Sequence, residues 1–241
     1  MREYITLEVR RTLRDPGFVI FGAGMPVLMY LLFTNIGGAG ADAAEWRTAS
    51  MVGMAAYGAL GAAVGTGTGI AEDKSLGWLR QLRITPMSPR RVVLGRAISS
   101  SVTVLPALLA VLVAGGLVNG VRLALWQWAA LTALLWAGAL PFTLLGIGNG
   151  YRLSAQTTGV VNVGCLMGMS VIGGLWFPVE AFPGWLAALA RYTPANRFAD
   201  LGWSTTAGTA PSATTVVVLA GWLLVFGSYA VSSYRRSART L

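Results

Sequence analysis

The sequence has no histidine, one cysteine and one lysine among its 241 residues. Without histidine, the chain can build neither a Ser/His/Asp triad nor a histidine general acid or base. A single cysteine excludes a disulfide within the chain, and with no histidine beside it a zinc site of Cys and His ligands is excluded as well. Cys165 lies in an apolar run, and we interpret it as a small packing residue.

Lysine occurs only at Lys74, and this excludes an ATP site of the P-loop type. Such a site needs a lysine directly after Gly-x-x-x-x-Gly, and the residues before Lys74 do not form this pattern. Residues 65–69, Gly-Thr-Gly-Thr-Gly, resemble a nucleotide loop only superficially, because they lead into two carboxylates that would repel phosphate. We therefore do not expect an enzyme, and no cofactor is expected to bind this chain.

Charged residues are also scarce: they make up 11% of the sequence, against 55% for hydrophobic residues. A soluble domain carries about 25% charged residues, so the composition predicts an integral membrane protein. The nine carboxylates all lie outside the predicted hydrocarbon region, at Glu3, Glu8, Asp15, Asp42, Glu45, Glu72, Asp73, Glu180 and Asp200. Because no predicted span holds Asp or Glu, proton-driven transport and intramembrane enzyme chemistry are disfavoured.

Six apolar stretches are long enough to cross a bilayer, which requires about 20 residues. They cover residues 17–36, 49–71, 92–118, 125–149, 155–177 and 213–234. The third stretch contains Pro106, which predicts a kink or a tilt. The expected fold is an all-α integral membrane protein with six transmembrane helices, forming a single transmembrane domain over residues 1–241.

The basic residues predict the orientation of these spans. Six spans place fourteen Lys and Arg residues on one side of the membrane and only Arg47, Arg122, Arg191 and Arg197 on the other. The side rich in positive charge is the cytoplasmic one, so both termini, including the tail 235–241, are expected inside. The net charge of +9 therefore indicates a multi-pass membrane protein and no nucleic-acid partner, and the location we expect for it is the bacterial inner (cytoplasmic) membrane.

Residues 1–16 combine an apolar stripe with a basic side. The stripe is formed by Ile5, Val9 and Leu13, and the basic side by Arg10, Arg11 and Arg14. Such a helix lies in the membrane interface with its arginines toward anionic headgroups. We therefore predict an N-terminal amphipathic interfacial helix before the first span.

The longest charged island inside the chain covers residues 72–91, between the second and third spans. Ser75 is predicted to cap a short helix that ends at Thr85-Pro86, because the residue before a proline avoids the α region. That helix has an apolar side and a basic side, formed by Trp78, Leu79 and Leu82, and by Arg80 and Arg83. It is a candidate docking element for a partner protein; the alternative is a solvated loop that only fixes the topology.

Two further segments carry structural predictions. Glycines spaced by four residues, Gly61, Gly65 and Gly69 in the second span and Gly164 and Gly168 in the fifth, are typical of helix–helix interfaces. Residues 178–212 are divided by prolines and are predicted to form an outer re-entrant or interfacial hairpin, with a short helix formed by Trp185, Leu186, Leu189 and Tyr192. The alternative for this segment is a loop anchored by its aromatic residues.

Four residues of the fifth span are candidates for a substrate path: Asn162, Met169, Trp176 and Phe177. Asn162 is the most conspicuous polar residue at membrane depth. The alternative for Asn162 is a hydrogen bond to a neighbouring helix. For the Met and Trp residues the alternative is packing or contact with lipid.

Taken together, these features resemble the permease subunit of the type-2 ABC exporter family over nearly the full length. The interfacial helix and six spans with both ends inside are two of them. The third is the loop after span two, where the family pattern reads Glu72, Gly77, Leu79, Leu82, Thr85, Pro86 and Ser88. The fourth is the Gly-Gly-Leu-Trp-Phe-Pro end of span five, residues 173–178, followed by Phe182-Pro183 and Tyr192-Thr193-Pro194.

The resemblance implies a permease that works with a separate P-loop ATPase, in two copies, which binds ATP and Mg²⁺. It implies a cytoplasmic coupling helix after span two, with Glu72, Gly77, Trp78, Leu79, Leu82, Arg83, Thr85 and Pro86 as coupling residues. It implies a second copy of the permease, as a homodimer, meeting this one along a central path. An outer gate is implied at Pro178, Phe182, Pro183 and Trp185.

The loop between spans one and two, residues 37–48, leaves no room for a large external domain. Among relatives, the daunorubicin-resistance type of multidrug efflux permease is similar in size. The resemblance therefore implies export of a small lipophilic substrate such as a drug, an antibiotic or a lipid. The alternatives are a channel or secondary transporter that needs no ATPase, or an ABC permease that exports a polysaccharide or glycolipid.

Overall fold

The structure is a computed structural model that describes residues 17–37, 43–76 and 89–237, and the regular elements of these residues are all helical. A π-helix (Phe18–Gly24) comes first and a 3₁₀ turn (Val179–Ala181) precedes α7. The α-helices are α1 (Met25–Gly37), α2 (Ala43–Ser75), α3 (Pro89–Leu117), α4 (Leu125–Gly138), α5 (Leu140–Arg152), α6 (Ala155–Ile172), α7 (Gly184–Ala190), α8 (Pro194–Thr206) and α9 (Ala213–Ser237).

Five helical segments are long and apolar enough to cross a membrane. They are Ala43–Ser75, Arg96–Leu117, Leu125–Arg152, Ala155–Ile172 and Ala213–Ser237, and they overlap the second to sixth predicted spans. The prediction of an all-α membrane protein is confirmed. The first predicted span is helical but is divided between the π-helix and α1, so the count of six stays a prediction.

Two of the prolines explain where helices are interrupted. Pro26 has no N–H to donate to the preceding turn, and the π-helix gives way to α1 at this point. Pro141 acts likewise in the fourth predicted span, which is broken at Ala139 into α4 and α5. Pro106, in contrast, lies inside α3 without ending it.

Helix α2 lies at the centre of the bundle. Its 33 residues extend about 50 Å at a rise of about 1.5 Å per residue. Of its most apolar stretch, 72% is buried, the highest share among the five candidate spans. It packs against α5, α3, α6 and α1. Any displacement of α2 must therefore be shared with most of the bundle.

The close contact between α2 and α5 depends on glycine. A β-carbon at Gly67 would collide with the carbonyl of Gly146, and one at Gly150 would collide with the carbonyl of Gly67. The absence of side chains lets the two backbones touch, as small residues do in membrane bundles. Nothing in the described part of the chain lies within 4 Å of a β-carbon built at Gly65 or Gly69.

The predicted glycine ridges are therefore not the contacts between the described helices. Gly65 and Gly69 are exposed, and Gly164 and Gly168 of α6 also face open space. Only Gly61 meets another helix, at Leu166. Within the described chain α2 meets α5 through Gly67 instead, and the assignment of the predicted ridges to helix–helix interfaces stays a prediction.

Hydrogen bonds define two ends of the bundle, which we call outer and inner after the predicted topology. At the outer end the indole of Trp46 donates to the carbonyl of Phe33 over 3.0 Å. There Asn119 donates to the hydroxyl of Thr34 over 2.9 Å. At the inner end Lys74 donates to the carbonyl of Leu153 over 2.6 Å. Each end is thus held together by hydrogen bonds between separate elements of the bundle.

The segment predicted as an outer hairpin contains α7 and α8. In α7 the side chains of Trp185 and Leu189 are 72% and 54% exposed, so its predicted apolar face contacts little of the described chain. Helix α8 is the part that packs into the core, with Phe198 buried against Phe142. Its first turn is capped by Thr193, whose hydroxyl accepts a hydrogen bond from the backbone N–H of Asn196.

Three predicted boundaries differ from the structure. Helix α2 continues to Ser75, into the predicted coupling loop 72–91, and α3 already begins at Pro89 within that loop. The fifth span, predicted over 155–177, ends as a helix at Ile172, because residues 173–177 form turns and bends there. Gly174 in this region has φ +73°, a conformation that favours glycine.

Candidate functional site

The described part of the coupling loop is the end of α2. Glu72 is exposed on its last turn, and its carbonyl accepts hydrogen bonds from the hydroxyl of Ser75 over 2.7 Å and from the N–H of Leu76 over 3.1 Å. Ser75 thus lies in the last turn of α2, and the prediction that it caps a following helix stays a prediction, because the residues of that helix lie outside the described ones. The other predicted coupling residues lie outside the described residues: Gly77, Trp78, Leu79, Leu82, Arg83, Thr85 and Pro86.

The predicted interfacial helix also lies outside the described residues. This applies to all six residues named for it: Ile5, Val9, Leu13, Arg10, Arg11 and Arg14. Both of these assignments stay predictions. The structure does describe the inner ends of the helices from which the coupling segment departs. One ion pair and two hydrogen bonds hold these ends.

The end of α2 is tied to two neighbouring helices. Asp73 forms an ion pair with Arg96 of α3. Lys74 donates to the carbonyls of Tyr151 and Leu153, over 3.1 and 2.6 Å, just where α5 ends. These bonds hold the last turn of α2 between α3 and α5, so a force applied beyond Ser75 would reach both helices.

A buried polar network connects four helices in the inner half of the bundle. Asn149 of α5 donates to Asn162 of α6, and Asn162 donates to the carbonyl of Val64 in α2, each over 2.9 Å. The hydroxyl of Tyr229 in α9 donates to Asn149 over 2.9 Å. The structure therefore places Asn162, a predicted path residue, inside the bundle with helices as its partners, 5% exposed.

The outer end contains a cavity of about 1000 Å³. Its aromatic wall consists of Trp46, Trp176, Phe177 and Trp203, and its charged residues are Glu45, Glu180, Asp200, Arg122, Arg191 and Arg197. Among the predicted path and gate residues, Trp176, Phe177 and Pro178 line this cavity. Met169 packs against the core instead. Phe182, Pro183 and Trp185 do not line it.

The aromatic wall is held by edge-to-face contacts. The ring of Trp176 lies 5.6 Å from that of Tyr57, and the ring of Phe177 lies 5.4 Å from that of Phe33. The indole nitrogen of Trp176 is buried and has no hydrogen-bond partner among the described residues. The wall therefore combines a rigid apolar surface with one unused N–H donor.

Sequence reasoning missed the polar residues that α8 brings to this cavity. Arg197 lies 3.7 Å from Asp200, which also accepts a hydrogen bond from Thr215, and Asn196 donates to the carbonyl of Gly173 over 3.0 Å. The sequence Thr193-Pro194 is a helix start that could have identified α8. Residues 17–37, 43–76 and 89–237 contain no group of three His, Cys, Asp or Glu residues that could hold a metal ion.

The family described as ABC-2 family transporter protein matches residues 41–231, well over half of the chain. This chain belongs to that family. It is also 24% identical over 221 residues to a protein of Bacillus subtilis (strain 168) named as the transport permease YvfS, which covers 91% of this chain and 90% of that protein. The resemblance to an ABC-2 type permease is thus confirmed at the level of the family.

Membership of the family gives the bundle its general role. The chain is a multi-pass membrane protein and a transmembrane transport subunit of an ABC transporter. Such a permease works with an ATPase partner.

Proposed function

We propose that this chain is the permease of an ABC exporter that moves a small lipophilic substrate out of the cell. Two copies of the permease would form the membrane part, and two copies of a separate P-loop ATPase, with ATP and Mg²⁺, would drive it from the cytoplasmic side. The continuous, centrally buried helix α2 is the observation that carries this proposal.

The proposed coupling follows from what α2 contacts. Its last turn enters the coupling loop 72–91, where the family pattern places the coupling helix at residues 72–86. Closure of the ATPase dimer on ATP would push this segment. The push would pass to α3 through Asp73 and to α5 through Lys74, because both bonds lie on the last turn of α2. The network at Asn149 and Asn162 would carry it to α6 and α9.

The exposed side of α6 supports a dimer with an apolar path. Only 17% of this candidate span is buried, the lowest share among the five. Its open side combines the two glycines with larger apolar side chains, at Val160, Val163, Gly164, Met167, Gly168 and Val171. Small residues let a second helix approach, and Met adapts to substrates of irregular shape. We propose that this side faces the second permease copy and the substrate.

The outer end supports a small substrate of drug, antibiotic or lipid type. Only residues 38–42 separate α1 from α2 on that side, so the connection cannot hold a receptor domain. The outer cavity, with Trp176 and Phe177 in its wall, is proposed as the exit vestibule. Pro178, Phe182, Pro183 and Trp185 are proposed as the gate in front of it. This assignment favours an efflux permease of the daunorubicin-resistance type over a polysaccharide exporter.

Copurification in mild detergent from native cells tests the proposal. A P-loop ATPase should accompany the permease in a ratio near one to one, and Leu82→Asp should release it. Leu125→Asp makes the same chemical change at an 87% exposed position of the outer end and should leave the complex intact. A homo-oligomer without an ATPase, identified by mass spectrometry, would reject the exporter in favour of a channel.

The substrate class is tested separately, with the complex in sealed vesicles. Fluorescent lipophilic cations and a fluorescent phospholipid should be moved in an ATP-dependent way, and Leu82→Asp should abolish the movement. If ATP hydrolysis is intact and neither probe is moved, the lipophilic substrate class is wrong while the two-component transporter stands.

A further inference from the structure

A second cavity, of about 450 Å³, lies at the inner end of the bundle, where α2, α5 and α9 all end. Its lining contains three cationic residues and three serines: Lys74, Arg152, Arg236, Ser75, Ser233 and Ser237. Tyr151 completes the lining, which includes no carboxylate among the described residues. The chemistry of this cavity is therefore that of an anion site.

Two of its cations keep donors for a ligand. Lys74 donates to two backbone carbonyls, and an ammonium group has three N–H donors, so one remains. The guanidinium carbon of Arg152 lies 5.9 Å from the centre of the Tyr229 ring, and Arg152 forms no ion pair within the described ranges. The carboxylate next to Lys74 in sequence, Asp73, is paired with Arg96.

Ser233 gives an independent indication of a ligand. Its side chain is 1% exposed and lines the cavity, and its hydroxyl has no hydrogen-bond partner in the part of the chain that the structure describes. A buried hydroxyl without a partner is unfavourable, so such groups in native proteins normally have a bound water, ion or ligand.

Helix ends alone do not account for this arrangement. Cations near the end of a helix offset a partial charge of about half an electron, and three helices end here. Lys74 and Arg152 alone carry two full positive charges, which exceed the total of about one and a half negative charges at three helix ends, so the cavity remains positive. Compensation of helix ends also needs no hydroxyl groups, whereas three serines converge on the cavity.

We propose that this inner cavity binds a phosphate group, carried by the headgroup of an anionic phospholipid or as free phosphate. Phosphate accepts hydrogen bonds from cations and hydroxyls together, and this is the donor set that Lys74, Arg152 and Ser233 present. Basic pockets between helices on the cytoplasmic side of membrane proteins take lipid headgroups in this manner.

The surroundings of the cavity fit a lipid. On α9, Val225 is 54% exposed and lies on nearly the same side of the helix as Arg236, which lines the cavity. Val225 lies about 12 Å along the helix from Ser233, at a rise of about 1.5 Å per residue. A phospholipid with its phosphate in the cavity could therefore lay its acyl chains on this apolar surface.

The test uses the full chain in mild detergent and native mass spectrometry. The probes are phosphatidylglycerol and phosphatidylcholine with identical acyl chains. One phosphatidylglycerol should bind per chain in preference to phosphatidylcholine, and Arg152→Gln should weaken it about fivefold to tenfold. Arg235→Gln is the matched control, because Arg235 is exposed in the last turn of α9, close to Ser233 in sequence, but does not line the cavity.

Ser233→Ala keeps the proposal testable if a charge change disturbs folding. Weaker binding of phosphatidylglycerol by this variant supports the site. Unchanged binding together with a higher melting temperature would show that the hydroxyl is merely unpaired, and would overturn the proposal.

Titration with inorganic phosphate separates the two sources. Binding of phosphatidylglycerol but not of phosphate, lost with Arg152→Gln, assigns a lipid site. Phosphate binding that Arg152→Gln weakens assigns free phosphate as a ligand. Equal binding of the two lipids with no phosphate binding, or equal losses in Arg152→Gln and Arg235→Gln, would refute an anion site here.

Discussion

Asn149 and Asn162 face each other inside the bundle, with the amide nitrogen of Asn149 2.9 Å from the amide oxygen of Asn162. They lie on α5 and α6, and each has a further partner on another helix: Tyr229 of α9 and the carbonyl of Val64 in α2. Since both side chains are almost fully buried, this pair joins four helices at a depth where water does not compete for the bonds.

Asn162→Ala should therefore lower the stability of the bundle. The variant leaves the buried amide of Asn149 without its acceptor, which costs roughly 1–3 kcal/mol. Thermal unfolding in detergent, followed by circular dichroism, should show a clear fall in melting temperature. Gln156→Ala, on the exposed side of the same helix, is the control and should melt like the parent protein. Parent-like stability of Asn162→Ala, combined with altered transport, would instead assign Asn162 to a substrate path.

Gly67→Ala should also destabilise the protein, because its β-carbon would collide with the carbonyl of Gly146. Forcing α2 and α5 apart costs about 1–3 kcal/mol. Gly65→Ala adds the same methyl group two residues earlier, where the described chain leaves open space. It should be neutral or slightly stabilising in detergent, since alanine favours a helix over glycine.

A glycine of α6 examines the proposed dimer. Gly164 lies on the open side of α6 that is proposed to face the second copy, so Gly164→Leu should reduce dimerisation. Size-exclusion chromatography with light scattering reports the mass of the particle. A dimer that is kept in Gly164→Leu would place the contact between copies on another surface.

Much of this fold could be predicted from the sequence, because an apolar run of about 20 residues with few charges typically forms a helix that crosses a bilayer. Rotation of a helix about its axis is a different matter. Gly65 and Gly67 both belong to a glycine-rich stretch, and which of them touches a neighbour depends on the packing of α5. Spacing in one helix cannot supply that information.

The candidate sites also depend on contacts between helices that the sequence of one helix does not reveal. Asn162 was conspicuous in the sequence, but its partner Asn149 is fixed by the turn between α5 and α6. Helix α8 begins with a capping threonine and a proline, yet its burial depends on Phe142 and the core it contacts. The inner cavity is lined by Lys74, Arg152 and Ser233, which come from three different helices, so no local sequence pattern could predict it.

Breaking the ion pair between Asp73 and Arg96 should loosen coupling more than it lowers stability. Its side chains are 40% and 29% exposed, so the pair contributes at most about 1 kcal/mol to folding. Arg96→Gln should melt close to the parent protein, yet ATP hydrolysis by the complex should respond less to substrate. The double variant Asp73→Arg, Arg96→Asp restores the pair and should recover part of the response. No recovery would mean that the pair does not carry the push.

Trp176→Ala should reduce export without releasing the ATPase. The indole ring contributes to the wall of the outer cavity, and its N–H is buried without a partner in the described ranges. Trp176→Phe keeps the aromatic ring and removes the N–H, and should lie between Trp176→Ala and the parent protein in ATP-dependent efflux. Trp185→Ala removes an equally large but 72% exposed ring of α7 that does not line the cavity. If Trp185→Ala lowers efflux more than Trp176→Ala does, the exit route passes over α7 and the cavity is not part of it.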